Sequence, residues 1–398
     1  NGLSFLVDHA NMTPAGLALG FKTLGRGVRI RNVTPIQWTL PRSQDIVRIA
    51  NATAANLEIS SRLDESDFDS TDAYIGERYG VVTDGAREAL ALTARTEGII
   101  LDPVYSAKAM AALIDDRTKA VYCESLGNPA GNVVDLEALA DMAHAHGVPV
   151  IVDNTVPSPY LNNPIDWGCD IVVHSLTKYL AGHGTIIGGV IVDSGEFDWV
   201  RNKDRFRRLN EPDVSYHGVV YTEALGAAAY IGRARVVPLR NMGSAISPMT
   251  SFMALQGIET LPLRMDRICE NTLAVARHLQ GHDQVEWVRY AGLPDSEYKA
   301  LADKYMGGRA SGILSFGIKG GVEAGTRFID ALKLITRLVN IGDAKSLACH
   351  PASTTHRQLA ADELEASGVS EDLVRLSIGI EHIDDSLRDI DQALAAAR

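Results

Sequence analysis

The chain has 398 residues, of which 46% are apolar and 22% charged, and its formal net charge is −12. This length is enough for two or three domains with a large buried core. The acidic balance argues against a nucleic-acid or anionic-membrane surface, and no apolar run approaches the ~20 residues needed to span a bilayer.

The four cysteines are widely spaced and form no Cys-x-x-Cys pair: Cys123, Cys169, Cys269 and Cys349. This spacing argues against a zinc site and predicts free thiols in a reducing cytoplasm. The chain begins at Asn1 without a methionine or the pattern of a signal peptide, so its start resembles the cut edge of a longer sequence. We therefore expect a cytoplasmic protein without a metal site.

Short apolar segments alternate with helical segments from residue 119 onward. The pattern predicts a helix at 135–146, with an aspartate N-cap and a glycine C-cap. Strands are predicted at 119–123, 148–153, 170–174 and 188–192. Such strands are typical of a parallel sheet covered on both faces. In sheets of this kind ligands bind beyond the carboxyl ends of the strands.

The second half of the chain has a different pattern. A long helical region is expected at about 221–279, with a domain boundary near residue 250. A smaller α+β unit follows. Its predicted elements are strands at 312–316 and 373–380 and helices at 322–339 and 384–397.

Asp153 ends the apolar strand at 148–153, and Lys178 follows in the segment His-Ser-Leu-Thr-Lys. A lysine amine can hold the aldehyde of pyridoxal phosphate (PLP) as a Schiff base. An aspartate can keep the pyridine nitrogen protonated, so that the ring draws electrons from the substrate Cα. Ser175 and Thr177 offer hydroxyls to a phosphate, and nearby glycines allow close backbone approach. The pair predicts a PLP site, with a strand-end cap and a surface lysine as the alternatives.

Several segments in this order resemble the Cys/Met-metabolism family of fold-type-I PLP enzymes. They are residues 124–129 (ESLGNP), 151–155 (IVDNT), 173–179 (VHSLTKY) and 255–264 (LQGIETLPLR). Within that family, the O-acetylhomoserine sulfhydrylases are similar at 210–213 (NEPD), 216–220 (YHGVV) and 343–356 (DAKSLACHPASTTH). The resemblance runs from about residue 113 to the C-terminus. It implies an α/β fold of type I, with a large PLP-binding domain at 115–250 and a small α+β domain at 251–398.

The resemblance also implies a cofactor role for five residues. Lys178 would hold PLP and shuttle protons, while Asp153 would pair with the pyridine nitrogen. Ser175 and Thr177 would bind the phosphate, and Asn128 would contact the ring hydroxyl. A lysine buried beside a cofactor loses its proton readily, which suits this task.

For the substrate, the resemblance implies that Arg375 binds the carboxylate, with Ser346 nearby. The planar fork of a guanidinium suits bidentate carboxylate recognition, and a surface ion pair is the alternative for Arg375. The implied reaction is γ-replacement, in which acetate leaves O-acetylhomoserine, sulfide adds and homocysteine is released. Lys178 would remove the Cα proton and then a Cβ proton. Electrostatic stabilisation of the carbanion would be the protein's main contribution.

Two alternatives to this transferase remain open. One is a lyase of the same family, which eliminates from homocysteine, methionine or cystathionine without sulfide. The other is a hybrid chain without catalytic activity. The expected partners are a small amino acid and sulfide, and the family's habit of building sites between subunits implies a homo-oligomer, either a dimer or a tetramer.

The first 114 residues depart from this family. Its Ser-Gly-x-Ala-type phosphate loop, its ring-stacking tyrosine and its Tyr-x-Arg segment do not occur before residue 115. Residues 15–25, 79–83 and 94–105 instead resemble the fold-type-II group of aminocyclopropane-carboxylate deaminase and D-cysteine desulfhydrase. The Schiff-base lysine of that group would lie before Asn1. We interpret the chain as a hybrid that switches family within 112–115, and we expect a reduced affinity for PLP.

Overall fold

The computed structural model describes residues 4–7, 12–25, 29–33, 42–71, 118–354 and 370–398. The chain divides into two compact units, residues 1–121 with 141–148 and residues 122–140 with 149–398. The predictions for 79–83, 94–105 and 112–115 lie outside the described residues. Across the described ranges, none of the helices combines the length and the apolar content that crossing a bilayer requires.

The first unit contains a parallel sheet whose three strands are adjacent in chain order: β1 (Ser4–Val7), β2 (Arg29–Val33) and β3 (Phe68–Thr71). Two helices alternate with these strands: α1 (Met12–Thr23) and α2 (Arg42–Asn56). Small and aliphatic side chains form the core between the helices, where Ile46 and Ala50 are fully buried. The Asn51 amide bonds to both the N–H and the carbonyl of Leu63, which fixes the chain after α2.

A four-stranded sheet follows, in the order β4 (Val121–Glu124), β5 (Val150–Asp153), β6 (Ile171–Ser175) and β7 (Gly189–Asp193). Three helical segments lie between these strands: α3 (Leu136–Ala145), α4 (Ser158–Leu161) and a 3₁₀ turn at Pro164–Trp167. Val150, Val152 and Ile171 are fully buried, as the apolar strand pattern predicted. All four strands were expected within one or two residues of these bounds.

One expectation about this sheet was wrong, because its strands are not all parallel. β5 and β6 pair in parallel, but β6 and β7 pair antiparallel. The only helical segment in the connection between β6 and β7 is the turn Leu176–Leu180, whereas the crossover between parallel neighbours usually contains an α-helix.

The helical region expected at about 221–279 is present as a series of separate helices. They are α6 (Tyr221–Leu225), α7 (Ala229–Ala234), α8 (Arg240–Met242), α9 (Pro248–Glu259) and α10 (Leu261–Gln280), and the short helix α5 (Arg207–Asn210) precedes them. Gly226 and Gly243 interrupt the series with φ angles of +52° and +72°, which favour glycine. Ser247 caps α9, since its hydroxyl accepts the N–H of Thr250.

A five-stranded sheet forms the last part of the second unit. Its strands lie in the order β10 (Thr336–Arg337), β11 (Leu347–Cys349), β12 (Leu373–Ser377), β9 (Ile313–Ile318) and β8 (Val285–Arg289). The helices are α11 (Lys299–Met306), α12 (Gly321–Ala331) and α13 (Ile383–Ala396). Side chains of β9 and β12 are buried along the whole of both strands, so the core of this layer lies there.

The helix expected at 322–339 ends at Ala331 instead. The N–H groups of Lys333, Leu334 and Ile335 donate to the carboxylate of Asp389 in α13, at 2.9, 2.9 and 2.8 Å. These donors are therefore unavailable for helical hydrogen bonds. The chain turns away and forms β10, which runs parallel to β11.

Candidate active site

Lys178 lies in a turn that follows β6 directly. The turn spans Leu176–Leu180, and Lys178 interrupts its helical geometry with φ −94° and ψ −130°. The N–H of Ala181 donates to the carbonyl of Leu176 at 3.0 Å, and the N–H of Gly182 donates to that of Lys178 at 2.8 Å. These hydrogen bonds close the turn around Lys178.

The amine of Lys178 donates a hydrogen bond to Oδ1 of Asn340. Burial, and to a smaller extent the nearby charge of Arg375, lowers the pKa of Lys178 below its ordinary value. An amine that loses its proton readily is a better nucleophile toward an aldehyde. The environment of Lys178 therefore suits the Schiff-base role that the sequence predicted.

Asp153 lies at the carboxyl end of β5, beside the end of β6. Its Oδ1 accepts the N–H of Thr155 at 2.9 Å, and its Oδ2 accepts the hydroxyl of Tyr122 at 3.2 Å. Burial, and then the charge of Asp153, raises the pKa of Tyr122 well above its ordinary value, so the phenol keeps its proton and donates. Both carboxylate oxygens are thus held in place at the edge where the cofactor was predicted.

Ser175 and Thr177 flank the start of the lysine turn. The N–H of Ser175 donates to Oγ1 of Thr155 at 2.8 Å, which ties the ends of β5 and β6 together. Oγ1 of Thr177 accepts the N–H of Gly188 at 3.1 Å and donates to its carbonyl at 3.4 Å. The hydroxyl of Thr177 thus already holds the chain that enters β7, and the phosphate role of both residues stays a prediction.

Asn128 lies in the turn after β4, where its side chain is exposed and precedes a cis peptide bond to Pro129. Its predicted contact with the ring hydroxyl stays a prediction. The glycines expected near the phosphate approach protein side chains. A Cβ on Gly182 would lie 2.2 Å from Nη1 of Arg264, and one on Gly184 would lie 2.8 Å from Oδ2 of Asp343.

Arg375 lies in β12 and is only 5% exposed. Its Nη2 donates to the carbonyls of Val339 at 2.6 Å and Asn340 at 3.0 Å. Its Nε is buried and makes no hydrogen bond to the part of the chain that the structure describes. A surface ion pair, the alternative for this residue, is therefore wrong. A buried N–H without a partner costs free energy, and a ligand carboxylate could satisfy it.

Ser346 is fully buried just before β11. Its N–H and hydroxyl donate to Oε1 and Oε2 of Glu381 at 2.5 and 2.8 Å, and its Oγ accepts the N–H of Gly379 at 2.8 Å. These contacts tie Ser346 to the chain that follows β12. A substrate could reach its hydroxyl only by replacing one of them, so this role stays a prediction.

The sequence analysis missed two residues that contact the predicted site: Tyr122, which bonds to Asp153, and Asn340, which bonds to Lys178. Tyr122 alternates with the buried Val121 in β4, and this alternation was the available signal that its side chain lies on the opposite face. Asn340 directly follows the residues that were assigned to a helix, so its position beside Lys178 had no signal in the local pattern.

The cysteines are not among the residues that hydrogen-bond to Lys178, Asp153 or Arg375. All four are free, and burial raises the pKa of Cys169 to about 12 and that of Cys269 to about 11. In the residues placed by the structure, no group of three or more His, Cys, Asp or Glu side chains could hold a metal ion.

The α/β sheet with Asp153 and Lys178 beyond its strand ends, followed by the α+β layer that carries Arg375, is the arrangement of fold-type-I PLP enzymes. Residues 84–395 match the model of the Cys/Met metabolism PLP-dependent enzymes, and the chain belongs to this family. A second model, of pyridoxal-phosphate dependent enzymes, matches residues 12–134. The predicted family, fold class and PLP dependence are thereby confirmed.

Homocysteine synthase of Schizosaccharomyces pombe is 51% identical over 289 residues, which are 72% of this chain and 67% of that protein. O-acetyl-L-homoserine sulfhydrylase of Leptospira meyeri is 51% identical over 289 residues, 70% of this chain and 65% of that one. The chain thus spans about two thirds of the length of these curated relatives. A solved O-acetylhomoserine (thiol)-lyase of Campylobacter jejuni, which holds N'-pyridoxyl-lysine-5'-monophosphate, has a TM-score of 0.69 and 36% identity, and covers 79% of this chain and 75% of that chain.

The residues present fit PLP. The Lys178 amine has the lowered pKa that imine chemistry needs, and both oxygens of Asp153 are oriented at the same sheet edge. The buried Nε of Arg375 has no partner among the residues that the structure describes and could donate to the carboxylate of an amino acid. These are the groups that would hold the aldehyde, the ring nitrogen and the substrate.

Proposed function

We propose that the chain catalyses γ-replacement, converting O-acetyl-L-homoserine and sulfide into L-homocysteine and acetate. The observation that carries this proposal is the convergence of the Lys178 amine, the Asn340 amide and the buried Arg375 guanidinium. The relatives at 51% identity bear the names homocysteine synthase and O-acetyl-L-homoserine sulfhydrylase, which supports this substrate.

In this proposal each residue has one task. Arg375 binds the α-carboxylate and so fixes the Cα–H bond relative to Nζ of Lys178. Lys178 then accepts the Cα proton, gives it up again and, once its nitrogen is neutral, accepts a Cβ proton. PLP, when bound, supplies the electron sink for the charge that develops at Cα. Asp153, with both oxygens oriented, holds the proton on the ring nitrogen.

The bonds that change lie at Cγ. The C–O bond to acetate breaks with its electron pair, and acetate leaves as the anion. Hydrosulfide then forms the C–S bond, and Lys178 returns protons to Cβ and Cα. The side-chain oxygen of Asn340 accepts a hydrogen bond from the Lys178 amine in the structure.

The test is sulfide-dependent turnover of O-acetyl-L-homoserine by the purified chain with added PLP. We expect homocysteine only when sulfide is present, and we expect the visible band of lysine-bound PLP. Lys178→Ala should lose both, whereas Lys203→Ala, which removes an exposed lysine of the same unit, should lose neither. Sulfide-independent release of a keto acid would contradict the proposal and would favour the lyase. Absence of both band and turnover would favour the inactive hybrid.

We also propose that the protein is a cytoplasmic homo-oligomer, and a monomeric mass by light scattering would contradict this.

The N-terminal match to pyridoxal-phosphate dependent enzymes supports a hybrid chain. Its finer assignment, to the aminocyclopropane-carboxylate deaminase and D-cysteine desulfhydrase group, is a proposal. The domain boundaries at 114 and 250 stay predictions.

A further inference from the structure

Arg264, at the end of the segment 255–264, is 5% exposed and has no carboxylate partner among the described residues. Its Nη1 donates to the carbonyl of Tyr179 at 2.7 Å, and its Nη2 donates to that of Leu180 at 3.3 Å. Its Nη2 also donates to the carbonyl of Gly257 at 2.6 Å, and its Nε donates to Oγ1 of Thr260 at 3.1 Å. The guanidinium therefore makes four hydrogen bonds to the protein itself.

Two of these acceptors belong to the turn that carries Lys178. The carbonyls of Tyr179 and Leu180 follow the break in helical geometry at Lys178. Carbonyls at such a break need donors from elsewhere. Because the guanidinium is planar and carries several fixed donors, Arg264 bonds to both carbonyls at once. A lysine at this position would offer only a single point charge.

Two glycines make room for this contact. Gly182 has φ +73°, and a Cβ there would lie 2.2 Å from Nη1 of Arg264. A Cβ on Gly257 would lie 2.4 Å from the carbonyl oxygen of Ala181. The end of α9 and the start of α10 therefore lie close against the turn that carries Lys178. Arg264 links α10 to this turn by its hydrogen bonds.

We propose that Arg264 is a positioning residue for Lys178: by binding the carbonyls of Tyr179 and Leu180 it fixes the turn that directs the amine. This inference rests on the proposed function, because it assigns Arg264 a part in the same reaction. A residue that only stabilised the fold would change the free energy of unfolding and leave the chemistry of the Lys178 amine unchanged.

The first experiment compares Arg264→Lys with Arg309→Lys, which alters an arginine bound to Asp266 at 2.8 Å. Acetic anhydride labels free amines, and mass spectrometry reports the pH at which half of Lys178 reacts. In Arg264→Lys we expect this midpoint to rise by roughly half a pH unit, because a loosened turn admits water to an amine whose pKa burial had lowered. Arg309→Lys should keep the midpoint of the unsubstituted chain.

Turnover adds a second measurement on the holoenzyme. Arg264→Lys should lower kcat at least about tenfold while KM for O-acetyl-L-homoserine changes less than about threefold, since misplacement of the amine affects the transition state more than binding. If the midpoint and kcat both match those of the unsubstituted chain, Arg264 is structural and the inference is overturned, whatever happens to stability.

A rescue experiment distinguishes loss of the guanidinium from misfolding of the variant. Arg264 lines a shallow, open depression of the surface together with Leu263, Arg267, Ile380 and His382, and we expect a small cation to enter the vacated position from there. In Arg264→Ala, millimolar ethylguanidinium should restore the labelling midpoint, and ethylammonium should not. Equal effects of the two cations would overturn the inference. The labelling needs no PLP, so it decides the role of Arg264 even if the unsubstituted chain proves inactive and the proposed function fails.

Discussion

The amine of Lys178 donates a hydrogen bond to the side-chain oxygen of Asn340, which is 162 residues further along the chain. Arg375, the arginine that we propose for carboxylate binding, donates to the carbonyls of Val339 and Asn340 and so also holds the backbone of Asn340. The position of the lysine amine thus depends on the α+β layer as much as on the sheet from which the lysine emerges.

Asn340→Asp should raise the pH at which Lys178 binds PLP. A carboxylate next to the ammonium favours its charged form, so the pKa of Lys178 should rise from its lowered value. The amine would then lose its proton only in more alkaline solution. The pH midpoint for formation of the PLP band measures this, and we expect a rise on the order of one pH unit. Asn241→Asp, at an exposed position, is the control, and an unchanged midpoint in Asn340→Asp would count against the hydrogen bond.

Lys178→Met should make the protein without PLP more stable at neutral pH. The folded state lowers the pKa of Lys178 below its ordinary value of 10.5. Between the lowered pKa and 10.5, the unfolded chain therefore binds more protons than the folded chain. The free energy of unfolding then rises with pH through this window, and the cost of the half-buried cation is fully present below it. Urea unfolding at several pH values should show a gain for Lys178→Met that disappears near pH 10.5. A gain that is independent of pH would show that packing, and not charge, is responsible.

Tyr122→Phe should weaken PLP binding by roughly threefold to tenfold, because one of the two hydrogen bonds that orient Asp153 is lost. Titration of the purified chain with PLP measures the dissociation constant. Tyr160→Phe is the matched control, since Tyr160 also donates to an aspartate, Asp266, at 3.0 Å. Equal affinities for the Tyr122 and Tyr160 variants would show that the Tyr122 hydroxyl plays no part in orienting Asp153.

Arg375→Lys should lower kcat/KM for O-acetyl-L-homoserine by about a hundredfold, since the substitution removes the guanidinium fork and a charge-assisted hydrogen bond. Most of this loss should appear in KM, because the carboxylate is bound before the chemical steps. Steady-state kinetics separates the two constants. Arg327→Lys, at an arginine that donates to the carbonyl of Ala397 at 2.8 Å, should leave both unchanged. A change in kcat alone would contradict a role in carboxylate binding.

The parts of the fold that local pattern determines could be predicted from the sequence. The strands that end at Asp153 and Ser175 are short apolar runs, and their pairing in parallel brings Asp153 and the lysine turn to one edge. The antiparallel β7 could not be predicted, because it depends on how the chain returns after Lys178. That path is set by backbone contacts such as those of Thr177 with Gly188.

The place of Asn340 depends on a contact that is distant in sequence. The apolar pattern after Gly321 continues past the point where α12 ends, so a longer helix was the natural prediction. The carboxylate of Asp389 in α13 takes three backbone N–H groups that a longer helix would have needed. The role of Arg264 was likewise hidden, since its acceptors are backbone carbonyls of a turn 84 and 85 residues earlier.

The hydrogen bonds from those N–H groups to Asp389 also limit which changes the C-terminal part of the chain can tolerate. The last helix of the chain sets the course of residues 333–335, and Asn340 follows five residues later. A deletion that removed α13, or a fusion that strained it, would therefore shift the acceptor of the lysine amine without touching any residue near the cofactor. Changes to this part of the chain are best kept outside α13, so that the helix and its aspartate keep their place.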